Sequence, residues 1–204
     1  LAHNGGTDSA EIGGSLEIAG TATISNGRFH VADGGVVTLA GGSLIWPLFN
    51  GGSAVWPQSY SKNPSITVDG TLQGSGTVGG GGVYTRGLSA FWTIENNGLV
   101  STTDTLRITA ATFTNNGTLE AKSGASLTLY TNSVVKGTLI AHDGATLTAG
   151  GAIDPNAHIV LDGKTSAIKG THWYVSPATF TLEGVDQYGV NGYNGYINQV
   201  GLTQ

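Results

Sequence analysis

Apolar residues along this chain alternate with polar ones over short runs that end at glycine. Leu119 and Ala121 alternate with Glu120 and Lys122, Ser123-Gly124 intervenes, and Leu127 then alternates with Ser126 and Thr128. A period of two over four to six residues is the signature of a strand with one side chain in two facing inward. The pattern returns twenty residues later. Gly117-Thr-Leu-Glu-Ala-Lys-Ser-Gly-Ala-Ser-Leu-Thr-Leu129 is echoed by Gly137-Thr-Leu-Ile-Ala-His-Asp-Gly-Ala-Thr-Leu-Thr-Ala149, and more loosely by Gly27 to Leu39. A repeat too short for a domain marks a solenoid whose circuits stack on one another. The echo therefore predicts that Leu119, Ala121, Leu127, Leu139, Ala141 and Leu147 point inward, with Leu119 near Leu139 and Leu127 near Leu147.

Asn-Gly occurs seven times and Asp-Gly four times. Both dipeptides tolerate positive φ, so they are expected at corners between strands. Antiparallel hairpins also use Asn-Gly, but hairpins do not require a fixed twenty-residue echo. The expected fold is all-β: a right-handed parallel β-helix with coils of about 20 residues, the hand following from the rule for parallel crossovers. It should occupy residues 1–165, with residues 166–204 forming a C-terminal cap or the start of a following module.

Composition narrows the function. Charged residues make up 10% of the 204 and glycine supplies 34, with no long amphipathic helical period, so a helical protein is excluded. The net charge of −5 and scattered cations leave no basic patch for phosphates, which argues against nucleic acid. Cysteine is absent, removing disulfides and thiolate metal sites; the Thr-, Ser-, Asn- and Gly-rich surface fits export from a bacterium. No apolar run reaches 18 residues and no signal peptide is visible, so the segment is not expected to span a membrane. Methionine is also absent, and the chain reads as a fragment with any signal or anchor outside it.

The run Gly70-Thr-Leu-Gln-Gly-Ser-Gly-Thr-Val-Gly-Gly80 resembles the short strand repeat of autotransporter passengers, and the twenty-residue coils resemble filamentous-haemagglutinin-type adhesins. The resemblance covers roughly residues 10–165. It implies a bacterial protein, secreted or on the cell surface, whose partners are host or environmental glycans or surface proteins. No cofactor is implied.

Two regions interrupt the repeat, and interruptions are where solenoids mount binding loops. The first, expected as an aromatic excursion over 41–65, carries the tandem Gly41-Gly-Ser-Leu-Ile-Trp46-Pro47 and Gly51-Gly-Ser-Ala-Val-Trp56-Pro57. Proline disqualifies these positions from a central strand. Trp46, Trp56 and Tyr60 then form either a satellite core or a platform for sugar rings. The second is the tail, where Trp173, Tyr188 and Tyr193 either cap the last strand edges or recognise glycans.

Catalytic signals are thin, and no residue is assigned a catalytic or metal-binding role. Asp33, Asp69, Asp143 and Asp162 all precede glycine, which is turn chemistry. Arg86 and Arg107 flank the stretch around Trp92 and Glu95 and are the pair to watch. Ser126-Leu-Thr128 and Thr146-Leu-Thr148 should stack into an outward hydroxyl ladder of the kind ice-binding β-helices present, although Thr suits any solvated strand. The sequence is therefore read as a non-enzymatic adhesin segment. The alternative is a carbohydrate-active β-helix, lyase or hydrolase, which carboxylates and a cation clustered on one face would favour.

Overall fold

The computed structural model describes residues 10–23, 28–45, 65–79, 93–154, 156–163, 165–173, 180–183, 188–190 and 196–199. All twenty strands among them belong to two sheets, of five and fifteen strands. The middle of the chain shows the plan most clearly. Strands β8 (Thr93–Asn96), β9 (Leu99–Thr102) and β10 (Thr105–Thr109) form one circuit. Strands β11 (Thr112–Asn115), β12 (Thr118–Ala121) and β13 (Ser126–Tyr130) form the next and lie parallel on the first, each on its counterpart. Strands β14 (Thr138–His142) and β15 (Thr146–Ile153) continue on β12 and β13, followed by β16 (His158–Asp162) and β17 (Ala167–Trp173).

Toward the amino terminus the same stacking runs back through β6 (Ser65–Val68) and β7 (Thr71–Gly79), then β4 (Arg28–Val31) and β5 (Val36–Ile45), then β1 (Ala10–Ile12), β2 (Ser15–Ile18) and β3 (Thr21–Thr23). The five-stranded sheet, ordered β1-β4-β6-β8-β11, makes one side. The larger sheet supplies the other two because β7 turns a corner: Thr71 to Gln73 pair with β9, while Gly76 to Gly79 pair with β10. The result is an all-β, solenoid-like body of parallel strands. Among the described residues antiparallel pairing enters only near the end, where β20 (Tyr196–Gln199) lies beside β17 and β19 (Tyr188–Val190) beside β20, while β18 (Phe180–Glu183) extends β16 in parallel.

The register is the one the echo predicts. Leu119 pairs with Leu139, Ala121 with Ala141 and Leu127 with Leu147, and all six side chains are fully buried. They join Leu72, Val100, Leu106, Ile159 and Ile168 in a single continuous core. Residues between them alternate outward, because successive strand side chains face opposite ways.

Glycine at the corners has two separate causes. Gly34, Gly144 and Gly163, each after aspartate, have φ of 75°, 72° and 117°, as the dipeptide argument expects. Gly70, Gly98 and Gly117 do not lie in the left-handed region. A Cβ on Gly98 would stand 2.1 Å from the Gly70 carbonyl oxygen, and one on Gly117 2.1 Å from that of Gly98. Those corners take glycine because each presses on the backbone of the circuit before it.

Beside this glycine row runs a buried asparagine row. Asn96 and Asn115 are both fully buried and stack in register. Asn96 Nδ2 donates to Asn115 Oδ1 at 2.6 Å and to the Thr118 carbonyl at 3.0 Å. Asn115 Nδ2 donates to the Lys136 carbonyl at 2.6 Å and to that of Gly117 at 3.3 Å. Side-chain amides thus supply donors to backbone carbonyls at the corner; that of Gly117 also accepts from the Thr138 amide at 2.9 Å. The row starts at Asn96 because Val68 holds the equivalent place one circuit earlier, and Asn96 Oδ1 has no protein partner.

The first decapeptide of the tandem begins in a strand rather than in an excursion. Gly41 to Ile45 remain in β5, paired with β3 and the end of β7. The bend at Gly41, where φ is 72°, and the tight approach of Gly42 to the Ile18 carbonyl let the strand continue round the corner. The circuit resumes at Ser65; residues 46–64 and 80–92 lie outside the described residues.

Candidate functional site

The outward side of the face formed by β9, β12, β14 and β16 carries a cluster spread over three circuits. His142 ends β14, and its register partner in the next circuit is Asp162. Their side chains meet, with Nδ1 2.6 Å from Asp162 Oδ2. On the other side His142 Nε2 lies 2.8 Å from Oε1 of Glu120, in the preceding circuit. Lys122 Nζ sits 3.4 Å from the second Glu120 oxygen, Oε2. Glu120 is the most enclosed of the four, with 14% of its side chain exposed, against 28% for His142 and 45% for Asp162. Burial of the imidazole opposes its charge, but hydrogen bonds to Glu120 and Asp162, reinforced by their negative charges, hold the His142 pKa above its ordinary 6.5.

A similar arrangement stands on the five-stranded sheet. His30 Nε2 is 2.7 Å from Asp69 Oδ2, and Nδ1 is 3.4 Å from Glu11 Oε2. Asp69 Oδ1 accepts from Asn97 Nδ2 at 2.8 Å, and Asn97 Oδ1 accepts from Asn116 Nδ2 at 2.9 Å. A polar chain thus runs from Glu11 to Asn116 through five circuits. The Asn97 hydrogen bond, then that of His30, holds the Asp69 carboxyl below its ordinary 3.8.

Asp69, Asp143 and Asp162, three of the four aspartates before glycine, therefore do more than turn the chain. Asp143 Oδ1 accepts from the Thr165 amide at 3.1 Å and its hydroxyl at 3.0 Å, another tie between circuits. Reading each aspartate before glycine as turn chemistry missed these clusters. Their signal lies down the columns of the repeat: Lys122, His142 and Asp162 share one position twenty residues apart, and Glu120 sits two places before Lys122.

Trp46, Trp56, Tyr60 and Tyr193 lie outside the described residues, as do Arg86 and Trp92. Trp173 is the last residue of β17, paired with Ile153, and Tyr188 is the first of β19, paired with Gln199. Gly189 and Ala167 are both register partners of Asn198. Tyr188 is therefore aligned with the start of β17, at the opposite end from Trp173. Glu95 belongs to the five-stranded sheet and Arg107 to the other sheet, so these two do not share a face.

The hydroxyl ladder is present but short. Ser126 pairs with Thr146 and Thr128 with Thr148, while Arg107 and Lys169 close the Thr128 column at its two ends. Among the described residues, no group of three or more His, Asp or Glu side chains is arranged to hold a metal ion. No helix among them is long and apolar enough to cross a membrane. No family model, curated protein or solved structure matches this chain.

Proposed function

We propose that the chain is a right-handed parallel β-helix with circuits of about twenty residues, serving as a non-enzymatic binding and display segment of a secreted or cell-surface bacterial adhesin. Its partners on this reading are host or environmental glycans or surface proteins. The observation that carries it is where the two irregular stretches are rooted. Ile45, before the first, pairs with Gly79, before the second; Ser65 and Thr93, where the chain rejoins the circuits, also pair. The sequence between these paired positions, 46–64 and 80–92, is rich in Trp, Tyr and Phe, and its flanks leave and rejoin adjacent strands at matching places. Tyr130 lies on the same row, since Gly79 pairs with Thr109 and Thr109 with Tyr130, and the residue is 47% exposed. A stack of parallel strands whose aromatic-rich sequence is anchored at matching positions in adjacent circuits suits the display of ligand-contacting rings.

Titration of a glycan panel against tryptophan fluorescence is expected to give a saturable response. Each of Trp46→Ala and Trp56→Ala should weaken binding by about 1 kcal/mol, or roughly fivefold in Kd. No response across the panel, or a response indifferent to both substitutions, contradicts the carbohydrate assignment.

One observation favours the second reading, a polysaccharide lyase or hydrolase. Glu120, Asp162, His142 and Lys122 gather on one face, as acid–base chemistry on sugars requires. Against it, both ring nitrogens of His142 and both oxygens of Glu120 are already engaged within the cluster. Incubation of the same protein with pectin, alginate and neutral glucans should release neither reducing ends nor unsaturated products. Release that disappears in Glu120→Gln would replace the binding reading with the enzymatic one.

A further inference from the structure

We propose that Glu120, His142 and Asp162 form a proton-operated clamp that ties three successive circuits together in mildly acidic surroundings and slackens as the pH rises. The geometry carries the inference. An ionised carboxylate only accepts hydrogen bonds, and a neutral imidazole donates from one nitrogen alone. His142 has a carboxylate oxygen at 2.6 Å from Nδ1 and another at 2.8 Å from Nε2, so both contacts are satisfied together only when the ring carries two protons. Loss of one proton sets a nitrogen lone pair against a carboxylate and breaks the tie to either Glu120 or Asp162.

The placement makes this a link between circuits. Glu120 belongs to β12, His142 to β14 and Asp162 to β16, three neighbouring strands in one face. Lys122 Nζ approaches Glu120 Oε2 from the same circuit at 3.4 Å. The remaining charged neighbours are Asp143, next to His142 in sequence, and Glu183, the register partner of Asp162 in β18. His30 repeats the design between Glu11 and Asp69 of the circuits before and after it, with Arg28 two residues away on β4, at a looser 3.4 Å on the Glu11 side.

The sign follows from linkage. The His142 pKa is raised in the folded protein, so its stabilisation is fully present below the unfolded value of 6.5 and is lost as pH rises through the folded value. On the acid side Asp69 acts in the opposite sense: its lowered pKa adds stability that is present above 3.8 and is lost as pH falls through the folded value.

Nitrogen-15 NMR of the imidazoles, with the His142 resonances assigned by their loss in His142→Gln, tests the clamp directly. Both His142 nitrogens should be protonated at pH 6, and the ring should titrate above 6.5, with the midpoint falling in Asp162→Asn. Thermal melts should agree: the gain in Tm between pH 8 and pH 5.5 should be smaller in His142→Gln than in the parent by about 2–4 °C. A ring that titrates at or below 6.5, or a Tm gain unchanged in His142→Gln, overturns the proposal. Should His142→Gln fail to fold, Asp162→Asn, altered at a half-exposed carboxylate, supplies both readouts by the same criteria.

Discussion

Gly117→Ala should destabilise the protein by about 3 kcal/mol or more, at the upper end of what overpacking costs. The added methyl would stand 2.1 Å from the Gly98 carbonyl oxygen and 2.7 Å from the Asn97 carbonyl carbon, both backbone atoms that no rotamer change can move. Gly137 presses on Gly117 in turn, its own Cβ position lying 2.5 Å from the Gly117 oxygen. Relief at one circuit therefore passes strain to the next. Gly124→Ala is the contrast. Gly124 has φ of 74° but no atom within 4 Å of its Cβ position, so its cost should be only the left-handed penalty, about 1–2 kcal/mol. Urea denaturation of the two variants beside the parent separates close approach from conformational freedom; equal losses would refute the stacking explanation for the Asn-Gly corner.

Leu139→Ala should cost about 2–5 kcal/mol, from lost transfer energy plus the cavity left behind. Leu139 is fully buried between Leu119 and Ile159, its register partners on either side. Neighbouring backbones are fixed by ladder bonds on both edges, so the hole has little means of collapse. Ile140 points outward between Glu120 and Val160 and is half-buried. Its replacement by Ala should cost less than half as much. Denaturant midpoints decide the matter, and a larger loss at Ile140 than at Leu139 would place the core on the wrong face.

How much of this was legible in the sequence depends on whether the signal runs along the chain or across it. The alternation at Leu119, Ala121 and Leu127 and its echo at Leu139, Ala141 and Leu147 read correctly because burial on one side imposes a period of two and a fixed register. The long strands β5 and β7 did not read as single elements. Each serves two faces of the solenoid, bending at Gly41-Gly42 or between Gly74 and Gly76, and a bend leaves no mark in an alternation pattern.

The charged cluster was harder still. Glu120 and Asp162 are forty-two residues apart and join one cluster only because His142, in the circuit between theirs, contacts both. A carboxylate pair sought along one strand misses them, whereas reading down the columns of the repeat finds Lys122, His142 and Asp162. Buried asparagine was hidden for a related reason. In Asn96-Asn97-Gly98 and Asn115-Asn116-Gly117 the first residue turns inward to the corner carbonyls and the second outward to Asp69 and Asn97. The doublet by itself reads as turn chemistry for both.

The stacked register underlies the core, the glycine row, the clamps and the matching positions that flank the aromatic-rich sequence. The absence of native cysteine allows a direct test of it. Thr118 and Thr138 face outward as register partners in adjacent parallel strands, where a separation of about 4.8 Å suits a disulfide. The double variant Thr118→Cys, Thr138→Cys should oxidise to an intramolecular disulfide under mild conditions, read as loss of both alkylatable thiols in the folded monomer. Thr118→Cys paired with Thr148→Cys, on a different face, should keep both thiols free. Free thiols in the first pair with the protein folded, or cross-linking as rapid in the second, would contradict the parallel stack.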